Sequence, residues 1–402
     1  MARFTAFIAL FIFCAVDAYA SASGSREGFS YTASVADSAS ISETSVIPDS
    51  VVPAKKGLIQ RIIDYFDDSN KPKKNKKFDF SIIGGPHYSS DTKFGIGAVA
   101  AGLYRTDTVD TPQSDLSIYA DATTSMFFKL GVRGNHIRPH DRSRLQYDIY
   151  FSSIDTKFWG IGYDMNINDD NESDYKYLNS QAHVAYVWRI ADALYFGPFA
   201  TFDYINGRDF KKPWLWDGES DRTFNLGLGL TLQLDTRDFI TNPSRGILLR
   251  ADQRFNPRAI FNKYAFSLTE LTFAIYRPLW RDATIACQIH SRLTYGNTPW
   301  GLLSTLGGSD NMRGYFEGRY RDKSEIDCCV ELRQHIWHRN GIVIWGGAGT
   351  IFPKFSALRW RKVLPNYGIG YRWEFKKRVN VRLDLGFGRH QTGFIFSINE
   401  AF

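Results

Sequence analysis

The chain has 402 residues, 15% of them aromatic, and carries a formal net charge of +7. That length fits one large barrel or two or three soluble domains. The sequence excludes a helical membrane span beyond the N-terminus, because no later segment approaches 18 consecutive apolar residues. It shows no basic helix or aromatic–basic module for nucleic acid, and no His/Cys cluster for a metal.

The N-terminus reads MARFTAFIALFIFCAVDAYASAS. Arg3 gives a positive start, Phe4 to Val16 an apolar core, and Ala18-Tyr19-Ala20 a small-x-small cleavage site. Residues 1–20 are therefore predicted to be a secretory signal peptide. Residues 21–56, rich in Ser, Ala and Thr, read as a disordered periplasmic tether. In 57–67, Leu58, Ile59, Ile62, Ile63 and Phe66 share one helical face, and the basic run KPKKNKK follows at 71–77. This amphipathic helix either lies on the inner leaflet or enters a barrel as a plug.

From Phe78 to Phe402 the chain alternates like strand after strand. The clearest case is FNLGLGLTLQLD, 224–235, where Phe224 and five leucines occupy every second position. Asn, Gly, Thr, Gln and Asp fill the rest, so the period is two. Twelve residues extend about 40 Å, and a tilt near 40° reduces this to about 30 Å, the hydrocarbon thickness of a bilayer. VNVRLDLGFG, 379–388, repeats the pattern, with Arg382 and Asp384 on its polar face. About sixteen such strands are predicted, an even number as bacterial barrels require. The longest connections, 155–173, 207–220 and 297–324, all follow odd strands. That sorting suits a barrel with long loops at one end and short turns at the other, and the fold class is all-β, a transmembrane antiparallel barrel.

The mature chain keeps Cys287, Cys328 and Cys329, too few for a disulfide framework. His87, His290, His335 and His390 are scattered across strands without a nucleophile motif, so no enzyme activity, catalytic residue or cofactor is expected.

Three segments carry a resemblance. DTRDFITNPSRG, 235–246, holds Asp235, Arg237, Asp238, Pro243 and Gly246. The loop 306–322 holds Met312-Arg313-Gly314-Tyr315. The last strand holds Gln391, Gly393, Phe396 and Ile398 and runs to Phe402, which resembles the C-terminal assembly signal of outer-membrane barrels. The first two, in this order and placement, resemble the BamA/TamA superfamily of outer-membrane assembly and translocation proteins, the bacterial surface antigen type, over residues 78–402. The resemblance implies that the loop folds back into the lumen and that Arg313 pairs with acidic groups on the wall. Glu331 and Asp384 are the lumen-facing candidates.

The sequence departs from that family twice. Where the family often carries an acid in Phe-x-Asp-x-Gly, this chain has Trp345, Gly347 and Gly349. Residues 21–77 are also too few for a POTRA receiver domain plus a tether. The resemblance implies a bacterial outer-membrane protein with a periplasmic N-terminus. It would aid insertion, assembly or translocation of client proteins among outer-membrane lipids, with a periplasmic partner in place of POTRA domains. The alternative is a passive pore or structural barrel plugged by its sixth external loop. Gly84, Gly85 and Pro86 are expected to shorten the pairing of the first strand, predicted over 78–84.

Overall fold

The computed structural model describes residues 78–104, 106, 114–216, 218–260, 262–376 and 378–402. The predicted signal peptide, tether, helix and basic run lie outside these residues. Sixteen antiparallel strands close a barrel. In chain order they begin with β1 (Phe78–Ser89), β2 (Lys93–Tyr104), β3 (Ser114–Thr123), β4 (Phe128–Ile137), β5 (Ser143–Phe158) and β6 (Ser173–Ala191). There follow β7 (Leu194–Arg208), β8 (Arg222–Asp235), β9 (Gly246–Asn256), β10 (Phe266–Pro278) and β11 (Ala283–Gly296). The wall ends with β14 (Ser324–Trp337), β15 (Asn340–Phe352), β16 (Leu364–Lys376), β17 (Val379–Gly388) and β18 (Gln391–Ile398). A short separate hairpin, β12 (Ser304–Leu306) with β13 (Tyr320–Asp322), lies within the loop between β11 and β14.

The alternation sorts residues as a bilayer requires. On β8, Phe224, Leu228 and Leu230 are exposed on the outside while Thr223, Asn225 and Thr231 are buried in the lumen. On β17, Asn380, Arg382 and Asp384 are buried and Leu385 is exposed. Hydrocarbon takes the leucine face without cost, and the polar face finds partners inside.

The two ends differ. At one, the loop end, the connections 159–172, 209–221 and 297–323 fold inward. They pack an aromatic core of Phe158, Tyr175, Trp216 and Trp300, in which Phe158 and Trp216 stack at 4.1 Å. The other, the turn end, has mostly tight connections such as 192–193, 338–339 and 377–378. The long exception there is 236–245, which crosses the barrel mouth. Thr241 Oγ1 donates to the Arg378 carbonyl at 2.6 Å, and the Arg378 guanidinium lies 4.6 Å from the Phe239 ring centroid.

Two expectations need correction at the closing strands. β1 does not stop at Gly84; it pairs with β2 along its whole length, from Phe78↔Tyr104 to Ser89↔Lys93. The short ladder is on its other side, where only Tyr88↔Phe396 and Ser89↔Ile395 pair with β18. Continuing that register would set Pro86 opposite Ile398, the last residue of β18. A proline has no N–H to donate, so the ladder gains nothing there. Beyond it, Asn399 adopts a left-handed φ of 71° and turns the chain away. Phe402 therefore does not continue the outward row of Phe394 and Phe396. It packs inside against Tyr276, with ring centroids 6.3 Å apart.

Candidate functional site: a lumenal arginine clamp

The loop 297–323 enters the lumen and lays its tip on the wall formed by β14 to β18. Tyr163, Leu306, Met312, Tyr315, Tyr320, Ile351 and Leu364 form one buried apolar cluster beneath it. Gly314 is left-handed, with φ 107°, and a Cβ there would meet the Gly386 carbonyl carbon at 2.7 Å. A Cβ on Gly386 would in turn meet the Arg313 oxygen at 2.5 Å. Two glycines facing each other let the loop backbone lie flat against β17.

That contact delivers Arg313 to the wall. Its guanidinium is buried and bridges two fully buried carboxylates: Nη1 donates to Asp384 Oδ2 at 2.7 Å, and Nη2 donates to Glu331 Oε1. Trp345 stacks on the same guanidinium, 3.8 Å from centroid to Cζ. Asn366 accepts from Trp345 Nε1 at 3.1 Å and donates to the Arg313 carbonyl. Tyr315 donates to the Pro365 carbonyl at 2.6 Å and accepts from the Arg389 backbone at 2.7 Å. Met312 is buried in the cluster with φ 47°, a strained conformation for a side chain of its size.

The clamp belongs to a larger ionic layer. Arg333 Nε donates to Glu331 at 2.8 Å. Arg372 joins Asp384 to Glu400, the latter at 2.7 Å, and Arg382 reaches Asp310 at 2.6 Å. Four guanidinium groups thus face four carboxylates: Arg313, Arg333, Arg372 and Arg382 against Asp310, Glu331, Asp384 and Glu400. Charge balance inside a poorly solvated lumen is what keeps such a layer tolerable. Trp345, Asn366, Arg372 and Glu400 are members that sequence reasoning missed. Trp345 was legible, since it lies directly across the β14–β15 ladder from Glu331. Glu400 was not, because it lies past the end of the last strand.

The other predicted residues lie elsewhere. Asp235 grips Arg237 with both oxygens, at 2.9 and 2.8 Å. Asp238 accepts from the Ser244 and Arg245 amides at 2.8 and 3.2 Å and closes the 236–245 connection on itself. Gly246 has φ 111° and Pro243 is buried. These residues shape the crossing at the turn end and do not touch the clamp. Gln391 accepts from the Phe316 amide at 3.0 Å, and Gly393 lies against Gly314. The start of β18 therefore helps to seat the loop, while Phe396 sits at the seam with β1.

A domain model of the Omp85 superfamily matches residues 117–351, more than half of the chain. The chain belongs to the Omp85 superfamily. Its fold is similar to solved members at low identity. The BamA of Haemophilus ducreyi lacking POTRA domains 1–3 aligns at TM-score 0.55 and 12% identity over 81% of this chain and 71% of that one. CdiB from Acinetobacter baumannii aligns at TM-score 0.51 and 12% identity, over 81% of this chain and 60% of that one. CdiB from Escherichia coli gives 0.52 and 9%, over 85% and 70%. No curated protein matches the chain.

In this Omp85 barrel the loop also meets the first hairpin. The Glu317 amide donates to Asp91 Oδ2 at 2.9 Å, beside a cavity of about 250 Å³ lined by Ser90, Asp91, Trp159, Gly314 and Gln391. Burial raises the Asp91 carboxyl to about 6 and that of Glu317 to about 7. Glu317 is itself exposed, and the Asp91 carboxylate beside it adds to the rise.

Replacing Arg313 takes one guanidinium from each of two buried carboxylates, leaving Glu331 to Arg333 and Asp384 to Arg372 and the layer one positive charge short, and breaking a buried pair costs about 3–5 kcal/mol. Arg313→Ala is therefore predicted to lower the urea midpoint of the reconstituted barrel. Adding Glu331→Gln to it returns the layer to equal numbers of cations and anions and restores part of the loss, and equal losses in the single and double variants would contradict the clamp. The hairpin contact predicts a pH effect. Acids with raised pKa bind more protons in the folded state, so stability falls as pH climbs from about 4 through about 7. The wild type is expected to resist urea better near pH 5 than near pH 8. Asp91→Asn with Glu317→Gln should flatten that difference, and an unchanged slope argues against the assignment.

Proposed function

We propose that this outer-membrane barrel inserts or translocates client proteins through the seam between β1 and β18, with its turn end toward the periplasm. One observation carries the reading. Along β1, Phe78 to His87 have no partner on β18, so the wall is zipped near the loop end and unpaired toward the turn end. Unpaired backbone groups are expensive in hydrocarbon, and a client strand adding to this edge would satisfy them. The lumen offers a poorer route, because the aromatic core and the clamped loop occupy the loop end and the 236–245 connection crosses the turn end.

The mechanism follows from the placement of the rigid parts. The ionic layer ties β14 to β17 into one block, and the loop holds that block to the start of β18 through Gln391 and Gly393. β1 belongs to the β1–β2 hairpin on the other side. Opening therefore breaks two ladder pairs and a few contacts at the Ser90 turn, whose amide donates to the Phe394 carbonyl at 3.1 Å. The ladder between β17 and β18, by comparison, runs from Val381↔Ile398 to Gly388↔Gln391.

The test is assisted folding in liposomes. Reconstituted protein should speed the folding of a urea-denatured client barrel, scored as the compact band on an unheated gel against protein-free liposomes. A Tyr88→Cys/Phe396→Cys disulfide across the seam should abolish the acceleration, and reduction should restore it, because these residues are paired neighbours within reach of a bridge. Full activity with the seam locked would refute the lateral route. No acceleration even by the unlocked protein would favour a pore or structural barrel.

A further inference from the structure

At the turn end, β4 and β5 are joined by Arg138-Pro139-His140-Asp141-Arg142. Two successive non-glycine residues in it are left-handed, His140 with φ 60° and Asp141 with φ 52°. Such a backbone costs free energy and persists only where the surroundings hold it. Here it sorts charge. Asp141, the one acid of the turn, is swung inward and buried. It accepts from Arg144 Nε and Nη2, both at 2.8 Å, and from the Tyr195 hydroxyl at 2.5 Å. Arg138, His140 and Arg142 are left exposed. Asp192, on the next turn at this end, is engaged by Arg189 at 2.8 Å. Among the described residues no carboxylate forms an ion pair with Arg138 or Arg142.

The cations sit beside a lipid-facing aromatic pair. Arg138 Nη1 donates to the Tyr186 hydroxyl at 3.2 Å, and Ser143 Oγ lies 2.9 Å from the same hydroxyl. Tyr186 packs edge-on against Trp188 at 5.1 Å. Trp188 is exposed on the outer face of β6, and Ile190, at the bulge two residues on, is exposed as well. Trp188 pairs across the ladder with Ser143, the first residue of β5, so Arg142 lies one residue further out, about 3.3 Å along the strand. In a barrel, an exposed tryptophan at this height marks the edge of the hydrocarbon, and the next layer is occupied by headgroup phosphates.

We propose that the β4–β5 turn and the adjoining end of β6 bind the phosphate of an anionic phospholipid, with Arg138 and Arg142 as the donors and Trp188 and Ile190 against its chains. A guanidinium anchored by a tyrosine hydroxyl and relieved of its local acid is a ready partner for a phosphate oxygen. The site requires the barrel to lie in a bilayer and does not depend on client handling.

The experiment is lipid retention by native mass spectrometry of the reconstituted full chain, released from bilayers of equal phosphatidylglycerol and phosphatidylcholine. Wild type is expected to keep phosphatidylglycerol preferentially. R138Q/R142Q should reduce that preference about 25-fold, given about a fivefold contribution from each arginine near an anionic surface. R245Q/R281Q removes two exposed arginines from other turns at the same end and should leave the preference unchanged. If the double variant does not fold, R138Q and R142Q singly carry the comparison, each lowering the preference by about the fivefold step. An equal loss in R245Q/R281Q would overturn the site in favour of diffuse charge. Displacement of the lipid by millimolar inorganic phosphate would overturn it in favour of a free-anion site. Retention unaltered by R138Q/R142Q would overturn it outright.

Discussion

Everything inside this barrel is arranged around one buried charge. Arg313 is carried into the lumen by a loop, and a guanidinium there is tolerable only when its donors are met. Glu331 and Asp384 meet them from two strands, β14 and β17, and Trp345 covers the flat face from a third, β15. The loop cannot leave without taking a guanidinium from both carboxylates and unbalancing the layer, and the two carboxylates cannot both be replaced without stranding the arginine. This mutual dependence fixes the loop as firmly as a covalent tie would, while remaining reversible in principle.

The same arrangement decides where the wall is weak. Strands from β14 to β17 are joined by full ladders and by side-chain charges across the lumen. β18 is held to that block by its ladder with β17 and by the loop. β1 is held to β18 by a zip at one end only, because β18 ends where Pro86 would stand opposite and Asn399 sends the chain inward. The tail then returns its carboxylate, Glu400, to Arg372 in the ionic layer. The residues that shorten the seam thus reinforce the wall behind it. The wall has a rigid half and a seam paired at one end only.

Much of this was legible in the sequence, because period-two alternation is a direct print of a two-faced environment. The alternating stretch 224–235 lies within β8, Arg222–Asp235. VNVRLDLGFG, 379–388, is β17, Val379–Gly388. Features without alternation were hidden. The β12–β13 hairpin has three residues a side, too few to show a period. Gly84-Gly85-Pro86 reads locally as a turn, yet the β2 ladder holds it extended, a tertiary contact overriding propensity. The C-terminal row misled in the opposite way. Phe394, Phe396, Ile398 and Phe402 keep the period on paper, but one left-handed residue, Asn399, reverses the face, and Phe402 ends beside Tyr276. At the clamp, glycine at 347 and 349 in place of an acid pointed to another source of negative charge. Glu331 and Asp384 were named as alternatives, and the structure places both on Arg313. The Gly349 position is also where a Cβ would meet Leu306 and Met312, so the absent side chain leaves room for the loop.

The most direct measurement is hydrogen exchange, followed by mass spectrometry, on the protein reconstituted in bilayers. The clamp predicts that amides of the loop tip, residues 312–316, exchange as slowly as those of the wall. The half-zipped seam predicts that β1 amides before His87 facing the seam exchange far faster than those of β6 and β7. A loop tip that exchanges within seconds, or a β1 as protected as β7, would contradict the account.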